Sequence, residues 1–128
     1  MTKTNFMEKY PVCTIELMKN DIKEETVREL VETLRVKIDK HPVAQFIATF
    51  DNYTHTKKLG GDIVDGLKDA EIIMFCFGSA IPNSKILAVR PRSIGICEFE
   101  DKFVFEFMEA PKEDLTNIMA KWCLDIKG

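Results

Sequence analysis

The chain has 128 residues, 45% of them apolar and 30% charged, with a formal net charge of −3. That length and balance leave little room for long disordered tracts and predict one domain, 1–128, whose core buries roughly two thirds of the surface of the unfolded chain. Lys and Arg are scattered rather than gathered into a basic tract, and no apolar run approaches the ~20 residues of a membrane-spanning helix, so neither a nucleic-acid partner nor a membrane is expected.

Residues 1–11 carry Thr2, Lys3, Thr4, Asn5, Glu8 and Lys9. They read as a polar leader that is neither signal peptide nor anchor, and the expected compartment is the cytoplasm. Val12 to Met18 then alternates as a half-buried strand with Cys13, Ile15 and Leu17 on one face. Asp21 with Glu24 resembles a capping box, and Val27, Leu30, Val31, Leu34 and Ile38 recur at helical spacing until Pro42 stops the helix. Ala44 to Tyr53 predicts a second strand with Phe46, Ala48 and Phe50 facing one way. Thr54 to Gly61 reads as a polar loop, followed by a short helix from Asp62 to about Lys68, capped by Asp62 and burying Ile63, Val64 and Leu67.

Glu71 to Phe77 is a continuous apolar run, the pattern of a central strand covered on both faces. The stretch from Ser79 to Arg92, with Pro82, Asn83, Ser84 and Pro91, is the long irregular connection, anchored by Ile86 and Leu87. Ile94 to Phe99 and Lys102 to Met108, joined by Glu100-Asp101, predict an antiparallel hairpin with Phe103, Phe105 and Phe107 on one face. Pro111, Glu113 and Asp114 favour a helix start, and Leu115, Ile118, Met119, Trp122 and Ile126 form its apolar stripe. The order is β-α-β4-α: an α+β domain with an antiparallel sheet and helices packed on one face.

Phe50-Asp51-Asn52 through Gly60, the strand ending Phe77-Gly78, and Arg90-Pro91 leading into the hairpin resemble the DUF302 family of small bacterial and archaeal proteins, over roughly residues 44 to 111. Asp51, Asn52 and Gly60 match its Asp-His pair and following glycine, with Asn52 standing where histidine is usual. Ser79 follows Gly78 where the family has Asn-Pro, and Arg90 precedes Pro91 where it has leucine. The resemblance implies a fold similar to the TATA-binding-protein class and a homodimer, and it implies no reaction.

Four cysteines, Cys13, Cys76, Cys97 and Cys123, lie apart in apolar segments without a C-x-x-C pair. They read as small hydrophobes, and no metal or cofactor is expected. The densest chemistry lies in Asn52, Tyr53, His55, Lys57 and Lys58 before Gly60-Gly61, where an anion is offered amides at a helix start. Arg90 and Arg92 flank Pro91 on a stiff turn suited to a carboxylate or phosphate. His41 sits at a helix C-terminus as a cap, and His55 with Asp51 is the one candidate proton-transfer pair. The Phe and Met set with Trp122 is core or the wall of an apolar cavity under the last helix.

Together these residues predict a non-enzymatic ligand-binding or regulatory domain, homodimeric, holding a small anionic or amphipathic molecule between the two irregular segments. The alternatives are a small enzyme using His55 and Asp51, and a protein-interaction module using the Phe-rich hairpin.

Overall fold

The computed structural model describes residues 1–128. Six strands and three α-helices follow in the order β1 (Thr2–Phe6), β2 (Tyr10–Met18), α1 (Val27–Lys40), β3 (Ala44–Phe50), α2 (Asn52–Leu59), β4 (Asp69–Phe77), β5 (Arg92–Glu98), β6 (Lys102–Met108) and α3 (Glu113–Leu124). The strands form one sheet of order β1-β2-β6-β5-β4-β3, antiparallel at every step. No helix is long and apolar enough to cross a membrane.

The two-residue period of the strands sorts the sheet into two faces. On one, Cys13, Ile15 and Leu17 of β2, Ile73, Phe75 and Phe77 of β4, Ile94 and Ile96 of β5, and Phe103, Phe105 and Phe107 of β6 are buried. Helix α1 covers this face with Val27, Leu30, Val31, Leu34 and Ile38, and α3 covers it with Met119, Trp122 and Cys123, all in one apolar cluster. Each such side chain contributes roughly 1.5–3 kcal/mol through burial. The hairpin phenylalanines therefore lie beneath the helices and present no interaction surface.

The other face of β4 is only half-covered, at Ala70, Ile72, Met74 and Cys76. The strand lies inside the sheet between β3 and β5, but it is buried on one side rather than two, because both long helices pack on the same side.

Four further expectations are corrected. The polar leader is strand β1, paired to β2 from Thr2↔Thr14 to Phe6↔Tyr10, its side chains all exposed. An edge strand needs backbone partners rather than an apolar face, so it left no hydrophobic pattern. Helix α1 begins at Val27, where the Thr26 hydroxyl accepts from Glu29 N–H at 3.1 Å, and not at Asp21. Glu24 turns inward and accepts from the Thr33 hydroxyl at 2.7 Å. A bulge between Phe46 and Ala48 shifts the register of β3, so Phe46 pairs with Phe75 while Ala48 pairs with Met74 on the opposite face. The polar run after Asp51 is helix α2, and 61–68 is loop, the reverse of the predicted arrangement.

Candidate functional site

Helix α2 is built by its two ends. Asp51 caps the first turn, its Oδ1 accepting from Thr54 N–H at 3.0 Å and its Oδ2 from the Thr54 hydroxyl at 2.8 Å. Those two donors hold the Asp51 carboxyl below its ordinary value. Gly60, at φ +69°, closes the helix in the left-handed conformation, with its N–H donating to Lys57 O and that of Gly61 to Thr56 O. The glycines thus mark a helix C-terminus, the negative end of the dipole, and their amides are occupied. The helix start expected to offer amides there is a helix end.

The predicted proton-transfer pair is not assembled either. Both Asp51 oxygens serve Thr54, and His55 packs its ring edge-on to Phe50 at 5.2 Å. Lys57 lies 5.5 Å from the Tyr53 ring, Lys58 is exposed, and Asn52 has a buried Oδ1 without a hydrogen-bond partner. Nearby, Glu71 is 4% exposed and its Oε1 lies 2.6 Å from Arg28 Nη2, a charge contact outside hydrogen-bonding angles. Desolvation raises its carboxyl, offset in part by Arg28.

A different cluster forms at the other end of β4. Strand β4 has nine residues, eight steps or roughly 27 Å at 3.4 Å per residue. Helix α2, with Asn52 to Lys58, follows the end of β3 that pairs at Ile72, Arg92 pairs with Phe75 and Arg90 lies beyond it, and the two groups line no common cavity. Where β4 ends, Gly78 turns the chain at φ +98° and donates to Val43 O at 3.0 Å. The chain then runs out through Pro82 to a 3-10 turn at Ser84–Val89, whose N-cap Asn83 accepts from Ile86 N–H at 3.1 Å. It returns through the cis Arg90–Pro91 peptide into β5. Opposite stands the link from β6 to α3, fixed by Ala110 N–H donating to the buried Thr116 hydroxyl at 2.8 Å.

Between these walls is a cavity of about 360 Å³. Val43, Phe77, Ile86, Val89, Ala110 and Leu115 give it apolar sides, and Arg90, Arg92 and Lys112 are its only charged lining groups. Arg92 donates from Nη2 to Met108 O (2.6 Å) and Glu109 O (2.8 Å), and from Nη1 to Val89 O (3.3 Å). Burial pulls its pKa down, yet a guanidinium stays charged in a protein. No side-chain hydrogen bond or ion pair engages Arg90 or Lys112. The Arg90 guanidinium rests on Gly78: a Cβ there would lie 2.6 Å from Nη2.

With this geometry in place, comparison with protein families matches residues 1–128 to the model described as "Family of unknown function (DUF6858)". The chain belongs to DUF6858. The DUF302 resemblance is thereby corrected, and its departures at Asn52, Ser79 and Arg90 fall where the pattern fails. No curated protein matches this DUF6858 chain.

Of the residues singled out in the DUF6858 sequence, Arg90 and Arg92 line the cavity, while Asp51, Asn52, Tyr53, His55, Lys57 and Lys58 belong to α2 and its cap. Trp122 is core: 8% exposed, it stacks on Phe77 at 5.3 Å and meets Phe75 and His41 edge-on. His41 is the C-cap of α1, its backbone N–H donating to Ile38 O at 3.0 Å, while its side chain accepts from Val43 N–H through Nδ1 at 3.3 Å. Sequence reasoning missed Lys112, because only the antiparallel pairing of β5 with β6 brings the start of α3 beside Arg90.

All four cysteines are free thiols, Cys13 and Cys123 buried and Cys76 and Cys97 half-buried. Desolvation raises Cys13 and Cys97 and pushes Cys123 up to about 12, which disfavours the nucleophilic thiolate at each.

Proposed function

We propose that this chain is a binding domain for a small anionic, amphipathic molecule, held at the Phe77 end of β4 with its charge on Arg90 and Lys112 and its apolar part against Ile86, Val89 and Leu115. The observation that carries this reading is the cavity lining: three cations, apolar walls and no carboxylate. A structural arginine is ordinarily neutralised by a nearby acid, and cations gathered without one raise each other's energy. An anion entering the cavity relieves that repulsion and gains the paired geometry that guanidinium offers to carboxylate and phosphate. The volume falls in the range of small-molecule sites, and the mixture of apolar walls with few polar anchors is typical of them.

A thermal-shift series with aryl and alkyl carboxylates, phosphates and sulfates tests the reading. Stabilisation by at least one class, lost in Arg90→Ala and retained in Lys57→Ala, is the expected result. If no anion of any class shifts the transition, the site does not bind anions.

A second reading concerns assembly. The half-covered outer face of the sheet carries Val12, Ile72, Met74 and Cys76, with neither long helix lying across them. We propose that two copies pair through this face. The outward side chains of the central strands support this, since an apolar face of this kind marks an interaction surface. Light scattering of wild type and Met74→Lys tests it: a dimer dissociated by the lysine is expected, and a wild-type monomer at high concentration contradicts it.

A further inference from the structure

We propose that the ligand is a small phosphomonoester, a dianionic headgroup gripped by Arg90 and Lys112 and carried on a compact apolar or aromatic body. This rests on the anion-binding reading above and adds the charge and shape of the headgroup.

A guanidinium has five N–H groups. Arg92 spends both Nη2 hydrogens on Met108 O and Glu109 O and one from Nη1 on Val89 O. Neither of its paired forks remains open, so Arg92 is a positioning residue that ties the start of β5 to the β6–α3 link and supplies charge without a bidentate grip. Arg90 spends none of its donors, and its guanidinium lies against the bare backbone of Gly78, where a Cβ would displace it from the cavity wall. Lys112 adds three more donors from the opposite wall.

Charge then selects the headgroup. A carboxylate carries one negative charge and would leave either Arg90 or Lys112 uncompensated. A phosphomonoester carries about −1.5 to −2 near neutral pH and has three acceptor oxygens, enough for a fork from Arg90 and a separate donor from Lys112. Arg92 adds a third positive charge to the attraction, but its bonds to three carbonyls leave it no fork for the headgroup.

The groups around the rim do not reverse this balance. Glu109 turns its carboxylate to Lys3 at 3.3 Å, Glu113 and Asp114 are exposed on the first turn of α3 outside the lining, and Lys85 is exposed on the 3-10 turn. The N-cap of α3, Lys112, offers the first-turn amides no side-chain acceptor, so the positive end of the helix dipole adds to the attraction.

The experiment is calorimetric titration of the full chain with phenyl phosphate, phenyl sulfate and benzoate, at about pH 7.5 and about pH 5.5, on either side of the second phosphate pKa of roughly 6. Phenyl sulfate has the same body and stays a monoanion at both values, so it cancels any titration of the protein. The expected result at the higher pH is phenyl phosphate binding on the order of tenfold more tightly than either monoanion, a difference of about 1.4 kcal/mol. That preference should shrink toward parity with phenyl sulfate at the lower pH. In Arg90→Gln and Lys112→Gln the phosphate preference should disappear while circular dichroism shows the fold intact, and in Lys57→Ala, outside the cavity, it should persist. Equal affinity for phosphate, sulfate and benzoate at the higher pH would overturn the headgroup assignment and leave anion binding standing. Absence of binding by all three, or binding undiminished in Arg90→Gln, would overturn both.

Discussion

At the Asp69 end of β4, a carboxylate caps a helix, glycine amides close it, and a buried glutamate lies against Arg28. At the Phe77 end, two basic side chains stand without hydrogen-bond or ion-pair partners over an apolar cavity, and a third spends its donors on carbonyls. The first end is richer in chemically suggestive residues along the sequence. Its polar groups are mostly consumed by local structure, which a helix of eight residues needs at both ends. The second end has fewer such residues, and its basic groups lack acids because the segments that meet there, residues 78–92 and the β6–α3 link, bring none into the lining. Chemical density along a chain thus marks a site poorly when capping and turn formation use the same residue types.

Replacing Trp122 by Ala has the largest expected effect on this contrast. Its indole stacks on Phe77, one wall of the cavity, so removal should cost about 3–5 kcal/mol in urea unfolding, as for other buried large aromatics. A loss under about 1 kcal/mol would mean that the ring is a replaceable lining group rather than core.

Arg92→Lys comes next. The charge is kept, but the three carbonyl contacts cannot all be reproduced, and about 1.5–3 kcal/mol should be lost, the range for hydrogen bonds to charged groups. Arg90→Lys, by contrast, should leave stability within about 0.5 kcal/mol, since no contact in the fold depends on its fork. Equal losses in the two variants would erase the division of labour between them.

At the other end, Asp51→Ala should cost about 1 kcal/mol through loss of the α2 cap and leave ligand response unchanged. Two acids there also respond to pH in opposite senses. Asp51 is held below its ordinary 3.8, so its contribution is present above that value and lost as pH falls through the lower folded one. Glu71 is raised above its ordinary 4.5 by burial, so the folded state holds its proton more firmly and stability declines as pH climbs from 4.5 through the raised value. Unfolding curves of Glu71→Gln against pH should therefore lack that decline, and Asp51→Asn should lack the acid-side loss. The smallest expected effect is that of Lys57→Ala, within about 0.5 kcal/mol in stability and without change in binding.

Much of this fold was legible in the sequence for one physical reason: where a segment buries one face, its apolar period survives. The stripe from Val27 to Ile38, the phenylalanines of β6 and the closing stripe through Met119 and Trp122 all obey it. Segments that bury little gave no such signal. Strand β1 is held by backbone pairing and one exposed ion pair from Lys3 and buries no side chain, and α2 buries no residue, so its only marks were Asp51 and Gly60, each open to another meaning. The start of α1 was placed at Asp21, but the cap that forms is Thr26, next to the apolar stripe, whose hydroxyl accepts from Glu29 N–H. The bulge in β3 defeated strict alternation. Of the candidate site, Arg90 and Arg92 were visible because they flank a proline in an irregular segment. Lys112 and the walls were not, since they are brought together only by sheet pairing across long stretches of chain.

Amide chemical-shift mapping during titration with phenyl phosphate asks the central question most directly, because it reads both ends of β4 at once. The largest shifts are predicted at Gly78, Ser79, Val89, Arg90, Lys112 and Leu115, with the amides from Asn52 to Gly61 unmoved. Shifts concentrated between Asn52 and Gly61, with the cavity amides silent, would contradict the account.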